Sequence, residues 1–375
     1  MPLRSDWRLQ REGLTVEYLG RLLARTALNP VLTLPLVLLA HFTAQGRTLS
    51  GSYAGHLKTI KALLCLGLAH HISDWLSKGV ANNWTKDVYD WDKEIVVVTG
   101  GSDGIGKHIV LFLAERGIKV AVLDIQPMTY ARASPGFTDV PAAPPSVKYY
   151  NCDLASAASI SDAVNAVRAD FGDPTVLINN AGIFYGEPML LAPLNHVRKT
   201  FEVNVYAHHL LAAHLVPSMV AANHGMIVTV ASQAAWVAAP RMANYAASKA
   251  AALAMHEALA AELATIYNAP KVRTVTVCPN ATKTPLFEGF QIQNNAFMYR
   301  LEPETMAEAV VKAVLKGQSA MVALPVTGWY LFAGARGMPL WYQNGLRKMS
   351  KDVLTTWTGR LVEQREEDVK DVMEK

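Results

Sequence analysis

Between residues 92 and 325 the chain alternates short blocks of aliphatic and β-branched residues with longer stretches of helical period. The blocks at 95–99 (IVVVT), 120–124 (VAVLD), 147–152 (VKYYNC), 176–179 (VLIN), 226–231 (MIVTVA), 272–278 (VRTVTVC) and 321–324 (MVAL) are mostly continuous in apolar character. A strand covered by helices on both faces has no polar side, so such runs predict a parallel sheet rather than a half-exposed one. Seven strands joined by six crossovers predict an α/β fold with a doubly wound, Rossmann-type parallel sheet. The stretch 126–146 holds five prolines, too many for a helix, and is expected to be a surface insertion.

The pattern changes on either side of this region. Residues 26–46 (TALNPVLTLPLVLLAHFTAQG) are 21 positions without Asp, Glu, Lys or Arg, flanked by Arg21, Arg25 and Arg47. A helix of that length rises about 30 Å, the thickness of a bilayer's hydrocarbon core, although Pro30 and Pro35 oppose a straight one. A second apolar run, 62–73 (ALLCLGLAHHIS), is too short to span and reads as interfacial or re-entrant. The pair is expected to form a shallow hairpin dipping into one leaflet, with a buried core helix as the alternative for 26–46. Asp6, Glu12 and Glu17 argue against a secretory signal. After residue 324, Trp329, Tyr330, Phe332, Trp341, Tyr342 and Trp357 are interleaved with Arg336, Arg347, Lys348 and Lys351. Amphipathic rings beside cations suit a headgroup layer, and a cap packed on the domain accounts for them equally well.

Composition sharpens this division. Apolar residues make up 51% of the 375 and charged ones 18%, below the roughly 25% of ordinary globular domains, and the mean hydropathy is +0.14. A net charge of +4 without a basic stripe in the central region gives no footing for nucleic acid. Cys65, Cys152 and Cys278 are odd in number and far apart, which opposes a disulfide framework or a metal signature and points to a reducing compartment. His208, His209 and His214 lack an acidic or cysteine partner at ligand spacing, so no metal site is expected.

Chemistry enters where the first strand runs into Gly100-Gly101-Ser102-Asp103-Gly104-Ile105-Gly106 and then helix-forming sequence. Glycines at such a turn let backbone approach a pyrophosphate, whose charge meets free N–H groups at the helix N-terminus. Asp124, 24 residues after Gly100 at the end of the next strand, suits the hydroxyls of an adenosine ribose. Asp124 and Asp103 would repel a 2'-phosphate, which favours NAD over NADP, while Lys107 and Arg132 keep NADP possible. Tyr-x-x-x-Lys occurs three times, at Tyr89/Lys93, Tyr245/Lys249 and Tyr267/Lys271. Only Tyr245 and Lys249 lie in an alanine-rich helix-forming run, where positions four apart share a face and an ammonium is expected to lower the phenol's pKa. Ser232 closes a strand thirteen residues upstream, where it would orient a substrate oxygen. Asn204 lies in helix-forming sequence, and its amide is expected to hold a relay water for the lysine.

Together these residues make the chain resemble the short-chain dehydrogenase/reductase family. The motifs are TGxxxGxG at 99–106, NNAG at 179–182 and the tetrad Asn204, Ser232, Tyr245 and Lys249, over roughly residues 92–325. The resemblance implies a helix interrupted at Asn204, a lysine contact to the nicotinamide ribose and an adenine contact from Asp153. It also implies cofactor support from Asn180, Ala181 and Gly182, and from Pro279, Thr282 and Thr284 near the carboxamide. Finer stretches such as KTFEVNVYAH and NHGMIVTVAS resemble the membrane- and lipid-droplet-associated retinol and 17-beta-hydroxysteroid dehydrogenase branch. That branch implies a domain facing the cytosol at the endoplasmic reticulum or a lipid droplet, and a homodimer.

The expected organisation is a membrane-associating region at 1–91, an NAD-binding domain at 92–325 and a C-terminal extension at 326–375. Leu286, Phe287, Phe290, Phe297, Met298, Tyr299 and Trp236 are expected to shape a pocket for a lipophilic alcohol or ketone, or else a subunit interface. The alternatives are an NADPH-dependent carbonyl reductase of the same fold and a lipid-surface scaffold without catalysis.

Overall fold

The computed structural model describes residues 3–5, 8–128, 130, 146–291 and 299–360. The strands β1 Ile95–Thr99, β2 Lys119–Asp124, β3 Val147–Asn151, β4 Val176–Asn179, β5 Met226–Val230, β6 Arg273–Pro279 and β7 Ala320–Leu324 form one parallel sheet in the order β3-β2-β1-β4-β5-β6-β7. The helices are α1 Val16–Arg25, α2 Pro30–Phe42, α3 Ala44–Ser52, α4 Ala54–Ala81, α5 Gly104–Ala114, α6 Ala157–Phe171, α7 Leu194–Phe201, α8 Ala207–Ala222, α9 Ala243–Thr265, α10 Pro303–Leu315 and α11 Leu340–Met349. All seven expected strands are present.

β1, β4 and β5 are buried at every position, which is why their sequences lack polar alternation. Val96 and Val98 turn to one face and pack with Ile109 and Phe112 of α5 and Val310 and Val314 of α10. Val97 turns to the other, with Ile160 of α6 and Leu211 and Leu215 of α8. The order reverses beside β1, opening a crevice at the carboxyl ends of β1 and β4, where ligands of such sheets bind. Positions 129 and 131–145 of the proline-rich stretch lie outside the described residues.

The N-terminal region departs from the expected single apolar helix. Thr43, capping α3 through its hydroxyl, ends α2 after thirteen residues, and α1 joins α2 at a bend of 48°. The second run is no short segment, because it lies inside the 28-residue α4. α2 packs along α4, with Thr33, Leu64 and Gly67 buried, while Leu39, Phe42 and Trp75 remain 55%, 78% and 62% exposed. Both flanks of this hairpin return to the sheet domain. Arg11 pairs with Glu308 at 2.7 Å, and Tyr299 donates to Glu17 at 3.0 Å. On the other flank Ser319 N–H donates to Asn82 at 2.8 Å and Arg273 donates to the Asn82 carbonyl at 3.0 Å.

Candidate active site

β1 ends in Thr99, whose hydroxyl accepts hydrogen bonds from the N–H groups of Asn180 and Ala181. The Asn180 amide donates back to the carbonyls of Thr99 and Gly100 at 3.0 and 3.1 Å. The loop after β4 is thereby fastened to the glycine turn. At Gly106 an added Cβ would lie 2.1 Å from the Gly100 carbonyl oxygen and 2.5 Å from the Asn180 amide nitrogen. Gly106→Ala is therefore expected to destabilise the fold by about 1–3 kcal/mol, the range for overpacking. A denaturant melt indistinguishable from the parent would contradict this.

Asp103 caps α5 by accepting from Gly104 N–H, leaving further N–H groups of the first turn open to the cavity. Asp124 accepts from Ser102 N–H at 2.9 Å and from Gln126 N–H at 3.0 Å. It is both a strand-end cap and a wall of the cavity. Ser102 and Gly106 lie behind that wall, Ser102 with its hydroxyl donated to the Gln126 carbonyl. A cavity of about 300 Å³ runs from Gly100, Asp103, Gly104 and Ile105 past Asp124 and Asp153. It continues along Ala181 and Gly182 to Ser232, Tyr245, Lys249, Pro279, Thr282 and Thr284.

Tyr245 and Lys249 share the inner face of α9 and are 5% and 3% exposed. Lys249 Nζ donates to the Val230 carbonyl at 2.8 Å and stands 5.8 Å from the centroid of the Tyr245 ring. The expected depression of the phenol's pKa is reversed: burial pushes Tyr245 above the usual phenol range, and a hydrogen bond with Ser232 offsets only part of this. Burial strips hydration from the ammonium, so Lys249 itself is pulled down from 10.5 to about 8. With the unfolded chain binding more protons across that window, this side chain's contribution to stability rises as pH climbs from about 8 to 10.5. The stability difference between parent and Lys249→Met, taken from denaturant melts at successive pH values, should change in that window; a constant difference would refute the shift.

Asn204 sits in a five-residue π-helical turn, Glu202–Tyr206, between α7 and α8. Its amide nitrogen donates to the Ile183 carbonyl and the Ser248 hydroxyl, and its oxygen accepts from Ile183 N–H, each bond between 2.9 and 3.0 Å. That leaves one lone pair of the amide oxygen, beside Gly182 and Lys249 Nζ, as the side-chain position open to a relay water. The other Tyr-x-x-x-Lys pairs lie elsewhere: Tyr89 donates to the Gly225 carbonyl, and Tyr267 follows the end of α9.

Leu286, Phe287 and Phe290 line the cavity, and Phe287 meets Tyr245 edge-on at 5.8 Å. Trp236 and Tyr299 do not line it. Trp236 stacks edge-on with Trp329, and Tyr299 is taken by Glu17, because each is drawn to a terminal segment whose position local sequence does not reveal. Phe297 and Met298 lie outside the described residues, as does Arg132. Sequence reasoning missed Gln233, Met242, Phe332, Ser350, Val353 and Arg360 on the cavity wall. It also placed no cation at the glycine turn, where Arg360 Nη1 stands 3.5 Å from the Asp103 carboxylate.

A crevice at the sheet's switch point, with a glycine turn at one end and a buried tyrosine and lysine at the other, defines an oxidoreductase site of the doubly wound class. The family model "short chain dehydrogenase" matches residues 94–295. Dehydrogenase RED2 of Cochliobolus heterostrophus is 40% identical over 216 residues, covering 57% of this chain and 78% of the relative. Estradiol 17-beta-dehydrogenase 11 of Rattus norvegicus is 34% identical over 234 residues, 62% of this chain and 75% of the relative. A short-chain dehydrogenase structure from Streptomyces avermitilis shares the fold at a TM-score of 0.55 and 21% identity, covering 70% of this chain and 98% of that one. The chain belongs to the short chain dehydrogenase family and is an oxidoreductase.

Proposed function

We propose that the protein transfers hydride between NAD and a lipophilic alcohol or ketone (a retinoid, steroid or long-chain lipid) with Tyr245 as general acid and base. The observation that carries the reading is the opening of Ser232, Tyr245 and Lys249 into the same cavity as the glycine turn and Asp124. The N-terminus of α5 and the lining of the crevice suit a dinucleotide, held by Gly100, Asp103, Gly104, Ile105, Asp124, Asp153, Asn180, Ala181, Gly182, Pro279, Thr282 and Thr284, with Ser102 and Gly106 shaping the turn from behind the wall. When bound, the nicotinamide supplies the hydride acceptor or donor.

Ser232, whose hydroxyl donates to the Pro279 carbonyl at 3.4 Å, lines the cavity with Tyr245 and orients the substrate oxygen toward it. The buried phenol keeps its proton, the form that donates to a carbonyl oxygen during reduction. Oxidation needs the phenolate, which the Ser232 hydroxyl favours. Asn204 holds the loop after β4 against α9 through Ile183 and Ser248. The aromatic rings around Tyr245 exclude water and favour a substrate partitioned from lipid. Turnover of retinol, estradiol and long-chain alcohols with NAD tests the reading, and failure with every one defeats it. A second reading, NADPH-dependent carbonyl reduction, is favoured by Arg360, whose charge offsets Asp103 at the turn. Tighter binding of NADPH than NADH would establish it.

The α2–α4 hairpin supports a monotopic attachment to an endoplasmic reticulum or lipid-droplet surface, with the catalytic domain on the cytosolic side. Its exposed faces are leucine-rich, and both flanks are tied to the same domain, so it enters and leaves on one side. α2, at 13 residues, rises about 20 Å, short of a full hydrocarbon core. The division at residues 91 and 325 and a homodimer, as the family resemblance implies, complete the reading.

A further inference from the structure

The family match ends at residue 295, yet the cavity is closed on its substrate side by residues beyond 349. Residues 353–360 run antiparallel to 285–291 as a strap. Gln291 N–H donates to the Val353 carbonyl at 2.9 Å, Thr358 N–H to Glu288 at 3.1 Å and Arg360 N–H to Pro285 at 2.9 Å. Two side-chain bonds reinforce the seam, Thr356 Oγ1 to the Gly289 carbonyl at 2.9 Å and Trp357 Nε1 to the Leu286 carbonyl at 3.0 Å. The Trp357 ring meets Phe184 edge-on at 5.1 Å, and Phe184 in turn meets Tyr245 at 5.2 Å. Gly186 makes room for that ring, since a Cβ there would lie 2.5 Å from it. Leu354 is 1% exposed and belongs to one apolar cluster with Tyr245, Phe184 and Phe290, against which Val353 also packs.

We infer that this C-terminal strap is the distal wall of the substrate pocket and that Val353 sets the size of substrate it admits. Trp357 is a positioning residue that pins the strap and does not line the cavity, whereas Val353 and Ser350 do. Val353 lines the cavity with Phe287 and Phe290 and packs in the same apolar cluster, so this stretch of the wall is aliphatic and aromatic, with the Ser350 side chain as its polar neighbour. The wall therefore discriminates by volume, and the occupant it fits is the hydrocarbon portion of an alcohol or ketone. The inference rests on the hydride-transfer reading above and deepens it.

The test uses the full chain, a series of straight primary alcohols of increasing length, and two readouts. Val353→Trp fills the pocket: the ratio of kcat/KM for long over short alcohols is expected to fall by about tenfold or more, and Val353→Ala to move it the other way. Trp357→Ala should weaken selection by length and be partly rescued by Trp357→Phe. Affinity for the same alcohols by titration calorimetry should follow the same order, and NAD affinity should stay within about threefold, reporting an intact dinucleotide end. Ratios and affinities that do not respond to the size of residue 353 while NAD still binds would overturn the proposal. Size-dependent binding with no turnover of any alcohol would defeat the hydride-transfer reading instead and leave the strap supported.

Discussion

Tyr245→Phe is expected to lower kcat by about 10²–10⁴, the span attributed to a positioned general acid or base. The variant removes only the oxygen that exchanges the substrate's proton. The ring stays, packed edge-on against Phe184 at 5.2 Å and Phe287 at 5.8 Å, so the fold and the apolar pocket are retained. Dinucleotide affinity and the melting profile should therefore remain near those of the parent while turnover collapses. The loss should appear in both directions, because Ser232 can hold a substrate oxygen without supplying its proton. Parent-like turnover in this variant would remove Tyr245 from the chemistry and leave the buried phenol a packing residue.

Replacing Leu32, Leu36, Leu39, Leu66 and Trp75 together by glutamine is expected to move the protein from membrane or lipid-droplet fractions to the soluble fraction. All five are between 51% and 62% exposed, so the change removes little packing within the hairpin. Each large apolar side chain transferred out of water contributes about 1.5–3 kcal/mol, and five together exceed the weak, reversible binding of a single lipid chain. The flanking bonds at Arg11, Glu17 and Asn82 stay intact, so the catalytic domain should retain its melting behaviour and its turnover of soluble short alcohols. Unchanged flotation would move the anchor to Trp329, Tyr330 and Trp341, which are also exposed.

The seven strands were readable because a strand buried on both faces leaves an unbroken apolar run whatever surrounds it. The positions of Gly100, Asp124, Tyr245 and Lys249 were readable for a related reason: a strand-end turn and a helical four-residue spacing are local geometries. The sign of the Tyr245 shift was not, since it follows from how deeply the pocket buries the phenol. Nor was the division of the C-terminal aromatics, of which Trp357 is folded over the pocket while Trp341 is 75% exposed. One pattern of rings and cations serves both environments.

Local order along the chain determined the sheet, the glycine turn, the spacing of tyrosine and lysine, and the presence of an apolar N-terminal region. Tertiary structure alone decided that the hairpin expected there is held at both ends by the domain, and that Arg360 reaches Asp103. It alone laid residues 353–360 across the substrate side of the cavity. The physical reason is range: backbone geometry and burial pattern act over a few residues, whereas contacts between the termini and the sheet depend on where a folded surface leaves room for them.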